Sequence, residues 1–252
     1  MFNYCQLLQI YHNVMKCEDQ IAFFWIGKTI ATPTLLVKSI NLIYGKNQPK
    51  IYHLTDKNTP NIDGVTDTIR NDLPKEIMLA RLEAYKKFPF NGKHTFFCDA
   101  DSLFINKLDL SKLNFHLYLS IRKENSYVYS EGYPEFKNKT FKDVMPFLFG
   151  AMVVKDGKEF FQNLLLICKD LPERFHNWYG DQYSLKLYQD KTKFLYKPLN
   201  IDKYLYITKD EIDINLMAQL TRRNVKMITF KGKGTKRFML GTIKNLFKIR
   251  QT

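Results

Sequence analysis

Residues 96–104 read FFCDADSLF, an apolar run that closes on two carboxylates, Asp99 and Asp101, with one alanine between them. Such a run, ending at a turn-forming cluster, predicts a buried strand that gives way to a loop. In extended chain, residues i and i+2 face the same side, so the two carboxylates converge. Like charges this close repel, and each carboxylate costs free energy to desolvate. The stretch holds no cation, so the neutralising charge is expected from outside it. Two hard oxygen ligands suit Mg²⁺ or Mn²⁺, the more so when a diphosphate completes the shell. The plainer alternative is a turn in which both aspartates accept local N–H groups. An EF-hand is disfavoured, because Leu103 and Phe104 stand where its loop needs a ligand and a continuation.

Upstream, IAFFWIG (21–27) reads as a short buried strand ending in glycine. TPTLLVKSINLIYG (32–45) reads as a helix, with Thr32 as cap, Pro33 in the first turn and Leu35, Leu36, Ile40 and Ile43 at helical spacing. KIYHLTD (50–56) reads as a second strand. Strand, helix, strand in this order predicts a parallel α/β layer with ligands at the carboxyl ends of the strands. A partly periodic helix is expected over 74–88. Further strands are expected in FHLYLSIR (115–122), FLFGAMVVK (147–155) and VKMITFKGKG (225–234). KEFFQNLLLICKDL (158–171) has the pattern of an amphipathic helix, and another opens near Asp181 in WYGDQYSLKLY (178–188). Residues 123–146 are polar, aromatic and turn-rich, and read as a long loop.

The chain has 252 residues, 45% hydrophobic and 25% charged, which fits one compact α/β domain over 1–252. No apolar run approaches the ~20 residues of a membrane helix, and the first residues do not read as a signal peptide. Cys5, Cys17, Cys98 and Cys168 form no C-x-x-C pair. A zinc site or disulfide framework is therefore not expected, and reduced thiols in the cytoplasm are the default. The net charge is +14, yet from Ile214 onward there are ten Lys and Arg and no acidic residue. The basicity is mostly C-terminal, and its partner should be anionic. In RFMLGTIKNLFKIR (237–250), Met239, Ile243, Leu246 and Phe247 recur at near-helical spacing among Lys244, Lys248 and Arg250. That helix suits either an anionic membrane surface or docking onto the domain. Paired aspartates and a basic chain also suit metal-dependent nucleic-acid processing. The basicity is confined to one end and no recognised nucleic-acid motif occurs, so no nucleic-acid partner is expected.

Read in order, these segments resemble GT-A glycosyltransferases. CDADSLFINKLDL resembles their D-x-D segment, FFWIGK their first strand, and FLFGAMVVK their post-D-x-D strand, with Phe149, Gly150 and Ala151 where N-A-G is usual. WYGDQYSL resembles the block in which a tryptophan leads D-Q-x-x-L, and ITFKGKGTK the closing H-F-x-G-x-x-K loop. The resemblance spans roughly residues 20 to 240 and is nearest to bacterial family-eight-like enzymes of the capsule or lipopolysaccharide type. It implies a single Rossmann-like GT-A domain whose mixed, mainly parallel sheet is flanked by helices, with a basic C-terminal helical tail. Residues 20–110 would form the nucleotide-binding half, 111–213 the acceptor half and 214–252 the closing loop and tail.

The same resemblance implies a UDP-sugar donor and a glycan or lipid-linked glycan acceptor. Mn²⁺ or Mg²⁺ would sit on Asp99 and Asp101. Trp25, Ile26 and Gly27 would hold the base, and Arg81 a phosphate or the ribose. Lys231, Gly232, Lys233 and Lys236, with Gly234, would close over the diphosphate. Asp181 and Gln182 would serve catalysis, as acceptor or sugar ligands or as base, with retention expected. Two departures stand out: Thr229 replaces the histidine that gives the family its third metal ligand, and Lys236 is displaced by one residue. The implied location is the cytoplasm, peripheral on the inner face of its membrane.

Overall fold

The structure is a computed structural model describing residues 19–123, 125–129, 131–232 and 234–251. Its first strand, β1 (Gln20–Phe24), is buried along its whole length. A strand covered on both faces has no reason to alternate, which is why the sequence shows an unbroken apolar run. Helix α1 (Ala31–Tyr44) follows and buries Leu36, Val37, Ile40 and Ile43. It starts one residue before the expected cap: Ile30 is the N-cap, and Thr34 rather than Thr32 makes the local bond, donating Oγ1–H to the Ile30 carbonyl at 2.7 Å. Gly45, at φ 59°, ends the helix in a conformation few other residues adopt.

The chain then forms β2 (Lys50–Thr55), β3 (Asp67–Arg70), α2 (Ile77–Lys86), β4 (Thr95–Asp99), β5 (Ser102–Phe104), β6 (Leu117–Ile121), α3 (Phe141–Val144) and β7 (Phe147–Val154). After these come α4 (Lys158–Asp170), α5 (Arg174–Asn177), α6 (Gly180–Thr192), β8 (Lys197–Leu199), α7 (Ile201–Tyr204), β9 (Leu205–Thr208), α8 (Ile214–Arg222), β10 (Met227–Phe230) and α9 (Met239–Gln251). Seven strands form one sheet in the order β3-β2-β1-β4-β7-β6-β8. In it, β7 alone runs against the other six. A second sheet has the order β5-β10-β9.

The D-A-D segment is the step between these sheets. Phe24 of β1 is in register with Asp99 at the end of β4. Three residues on, Ser102 of β5 pairs with Thr229 of β10. Asp99 and Asp101 thus lie where the chain leaves one sheet for the other, at the carboxyl end of the parallel strands. One large core joins α1, β1, β4, β10 and the last helix, through residues such as Leu36, Phe96, Ile228, Ile243 and Leu246. A second, rich in aromatic rings, packs α2 and α4 on the other side around Tyr85, Phe97 and Phe161.

One expectation changes here, and of the two uses open to the tail the structure shows docking. The segment 123–146 carries a 3₁₀ turn at Pro134–Phe136 and α3, whose Thr140–Asp143 capping box satisfies the helix start. Val128, Phe136, Val144, Met145 and Phe175 close a small core of their own, so the described part of the segment is an ordered lobe. The apolar stripe of the tail is also largely used within the protein: Met239, Ile243 and Leu246 are buried, and only Phe247 of the four stays exposed.

Candidate active site

Asp99 is reached from three directions. From α2, Arg81 Nη1 meets Asp99 Oδ1 at 3.0 Å, while Nη2 pairs with Asp181 Oδ2 at the start of α6. From the end of β10, Lys231 Nζ pairs with Asp99 Oδ2 and lies 3.5 Å from Asp101 Oδ1. From β7, Gly150 packs so closely that a Cβ there would overlap the Asp99 carboxylate. The repulsion implicit in D-A-D is therefore relieved by Lys231, a residue 132 positions from Asp99. Arg81 is held in turn by the Phe149 ring, whose centroid lies 4.9 Å from its guanidinium carbon.

These charges set the protonation states. Burial opposes ionisation of Asp99, but Lys231 and Arg81 outweigh it and bring its carboxyl down to about 2. Burial, with the charge of Asp99 behind it, pushes the Asp101 carboxyl up despite Lys231. Burial also works against the Lys231 ammonium, yet Asp99 and Asp101 hold its pKa above the ordinary lysine value.

Asp181 is fully buried and occupies the second position of α6, with Tyr179 as N-cap in the left-handed region at φ 68°. It is therefore not the cap. Its Oδ1 accepts the Gln182 N–H at 2.7 Å and its Oδ2 faces Arg81. With both oxygens engaged and no exposed surface, its carboxylate holds Arg81 in place. Gln182 Oε1 accepts from Arg122 Nη2 at 2.9 Å. Arg122 also donates to the Met145 carbonyl and lies over the Phe141 ring. Arg122 was missed in the sequence; the available signal was a cation closing an apolar strand at the same sheet end as Asp99.

Arg81 turns its two terminal nitrogens to carboxylates, with 15% of its side chain accessible. At the end of β1, the Trp25 carbonyl accepts Thr55 Oγ1–H at 2.7 Å and contacts His53 Nε2 at 3.1 Å. Burial holds His53 down at about 4, so this contact is made by a neutral ring. Gly27 N–H is already given to Thr59 Oγ1 at 2.9 Å, which removes it as a donor to a base. Ile26 packs against the aromatic core. Lys236 Nζ lies 5.0 Å from the Trp25 ring centroid, which closes the loop of Gly232 and Gly234 back over β1. Lys233 lies outside the described residues.

A divalent metal requires a donor set. Asp99 and Asp101 supply two carboxylates, but both face the Lys231 ammonium, and no group of three His, Cys, Asp or Glu suited to a metal exists among the described residues. Thr229, in the histidine's place, is 1% exposed, and its hydroxyl has no hydrogen-bond partner among the described residues. These residues do not fit the three-ligand site that the resemblance implies.

No family model matches the chain, and no curated protein matches it. Solved structures do. The galactosyltransferase LgtC, in complex with donor and acceptor sugar analogues, superposes with a TM-score of 0.54 at 14% identity, over 91% of this chain and 95% of that one. A glycosyltransferase involved in glycosylation of the major capsid of PBCV-1 gives 0.51 at 15% identity, over 89% and 99%. GlyE of Streptococcus pneumoniae TIGR4 gives 0.53 at 15% identity, over 92% of this chain and 63% of that one. The chain has the GT-A glycosyltransferase fold, in a single α/β domain.

Proposed function

We propose that the protein is a glycosyltransferase that moves a sugar from a nucleotide diphosphate, foremost a UDP-sugar, to a hydroxyl of a glycan. The observation that carries this reading is the meeting of Asp99, Asp101, Arg81, Lys231 and Asp181 at the carboxyl end of β4, in a GT-A sheet. Ligands bind at that end of such sheets. Transfer breaks the bond between the anomeric carbon and the diphosphate oxygen, so negative charge grows on the leaving nucleotide. Lys231 and Lys236 are the cations placed to meet it, and a preorganised charge in a partly desolvated site acts strongly. The Trp25 ring, under Lys236, is the surface against which the base would lie.

The stereochemical outcome in this reading is retention. The carboxylate once expected to act as base, Asp181, is engaged by Arg81 and Gln182. Gln182, partly exposed and oriented by Arg122, is the polar side chain offered to the sugar. We place the acceptor among bacterial surface glycans, lipid-linked ones included, with the protein on the cytoplasmic side. Support for membrane contact comes, among the described residues, from one face of α9, where Leu240 and Phe247 are exposed beside Lys244 and Lys248. No helix among the described residues is long and apolar enough to cross a membrane.

Calorimetric titration with UDP and with a short oligonucleotide tests the class. Saturable UDP binding without oligonucleotide binding is expected. The reverse would move the protein to the nucleic-acid reading.

A further inference from the structure

The Asp99–Asp101 pair already has its cation. We propose that the Lys231 ammonium permanently occupies the position of a divalent metal, and that the protein holds a nucleoside diphosphate without one. This rests on the nucleotide-sugar reading above.

Three observations carry it. First, the ammonium bridges the pair: Nζ contacts Asp99 Oδ2 and stands 3.5 Å from Asp101 Oδ1. It has three donors, and the side chain is 40% accessible, which leaves room for a third N–H to meet a phosphate oxygen. Second, Lys231 is anchored where it cannot easily swing away. The preceding residue, Phe230, donates its N–H to the Asp101 carbonyl at 3.0 Å, and Lys231 donates its own to the Thr208 carbonyl at 3.0 Å. The two left-handed glycines, Gly232 at φ 122° and Gly234 at φ 77°, come only afterwards. Third, no further anionic donor stands beside the pair. The cross-strand pair next to Asp101 is Ser102 and Thr229, two buried neutral hydroxyls, so a metal would have only two carboxylates and would have to displace the ammonium that already neutralises them.

A divalent ion entering here would face the ammonium it displaced, still tethered by β10, and Arg81 on the far side of Asp99. Both repel it. Before any ligand arrives, three carboxylates (Asp99, Asp101 and Asp181) are matched by Arg81, Lys231 and the nearby Lys236. The site is near neutral with the metal's share of charge supplied by lysine.

The test uses the full chain and two ligands, Mn²⁺ alone and UDP. Wild-type protein should take up no Mn²⁺ at about 1 mM, a concentration at which weak oxygen sites still load. Its UDP affinity should agree within a factor of about two between EDTA and Mn²⁺, against the tenfold that ~1.4 kcal/mol of lost cation contact would give. Lys231→Ala should lose about tenfold or more in UDP affinity in EDTA. It should also gain Mn²⁺ binding, because the carboxylates are released. Lys231→Gln, similar in length but uncharged, repeats the comparison should the alanine variant not fold, as judged by circular dichroism. Mn²⁺ uptake by the wild type, UDP binding that EDTA abolishes, or a charge-free variant that still refuses Mn²⁺ would each overturn the proposal. If no protein binds UDP under any condition, the donor reading fails, and the Mn²⁺ titrations alone decide the role of Lys231.

Discussion

At the scale of single residues, the site depends on how close Gly150 allows β7 to come to Asp99. Any side chain there overlaps the carboxylate. Gly150 lies just past the last β4–β7 pair, Cys98 with Ala151, and inside the bulge between the β6–β7 pairs Leu119–Met152 and Ser120–Leu148, so a methyl group there displaces the carboxylate, the bulged strand or both. Gly150→Ala should therefore separate Asp99 from Arg81 and Lys231. We expect a fall of roughly 1–3 kcal/mol in stability, the ordinary cost of overpacking, and a loss of UDP affinity of about tenfold or more, as expected when a charge-assisted contact is lost. A thermal melt and a calorimetric titration measure the two. UDP affinity within a factor of two of wild type would show that the close approach is incidental. The D-A-D pair itself was legible in the sequence, because its carboxylates and its strand are adjacent. The residues that neutralise it were legible only by type. Lys231 reads as part of a lysine loop for the diphosphate, and Arg81 as a phosphate or ribose ligand; that both neutralise Asp99 shows only when folding joins positions 81, 99, 181 and 231.

At the scale of elements, the most buried strands were the easiest to read, since β1, β4 and β7 are mostly apolar and almost wholly buried. Four short strands went unread: β3, β8 and β9 are at least partly exposed, while β5 is buried but follows the aspartates too closely to read apart from β4. β3 and β8 edge the large sheet with DTIR and KPL, and β9 flanks the small one. Such sequences lack the burial that writes a pattern. The C-terminal helix was legible as a helix, but its use was not. Three of its apolar residues face the core, Arg250 Nη2 donates to the Ile105 carbonyl at 2.6 Å, and Thr242 Oγ1 accepts the Ile212 N–H at 3.1 Å. A docked helix and a membrane-bound one share the same periodicity. The two faces should now separate experimentally. Leu246→Ala, at a site with no exposure, should cost about 2–5 kcal/mol in denaturant unfolding, since a cavity is added to the lost transfer energy. Leu240→Ser with Phe247→Ser, on the exposed face, should leave stability nearly unchanged and reduce co-sedimentation with anionic vesicles. Equal sedimentation of wild type and the double variant would remove membrane contact from that face.

For the whole molecule, the account places one ligand at the seam between two sheets. The large sheet delivers Asp99 and the end of β1, the small sheet delivers Lys231, and α2 with α6 brace both through Arg81 and Asp181. A nucleoside diphosphate bridges this seam in the proposed complex. The most direct measurement is a crystal structure of the protein grown with saturating UDP in EDTA. The account predicts the diphosphate at the carboxyl ends of β1 and β4, with an oxygen within hydrogen-bond distance of Lys231 Nζ and the uracil against Trp25. Nucleotide bound elsewhere on the fold, or bound at this seam only when Mn²⁺ replaces EDTA and Lys231 has left the carboxylates, would contradict it.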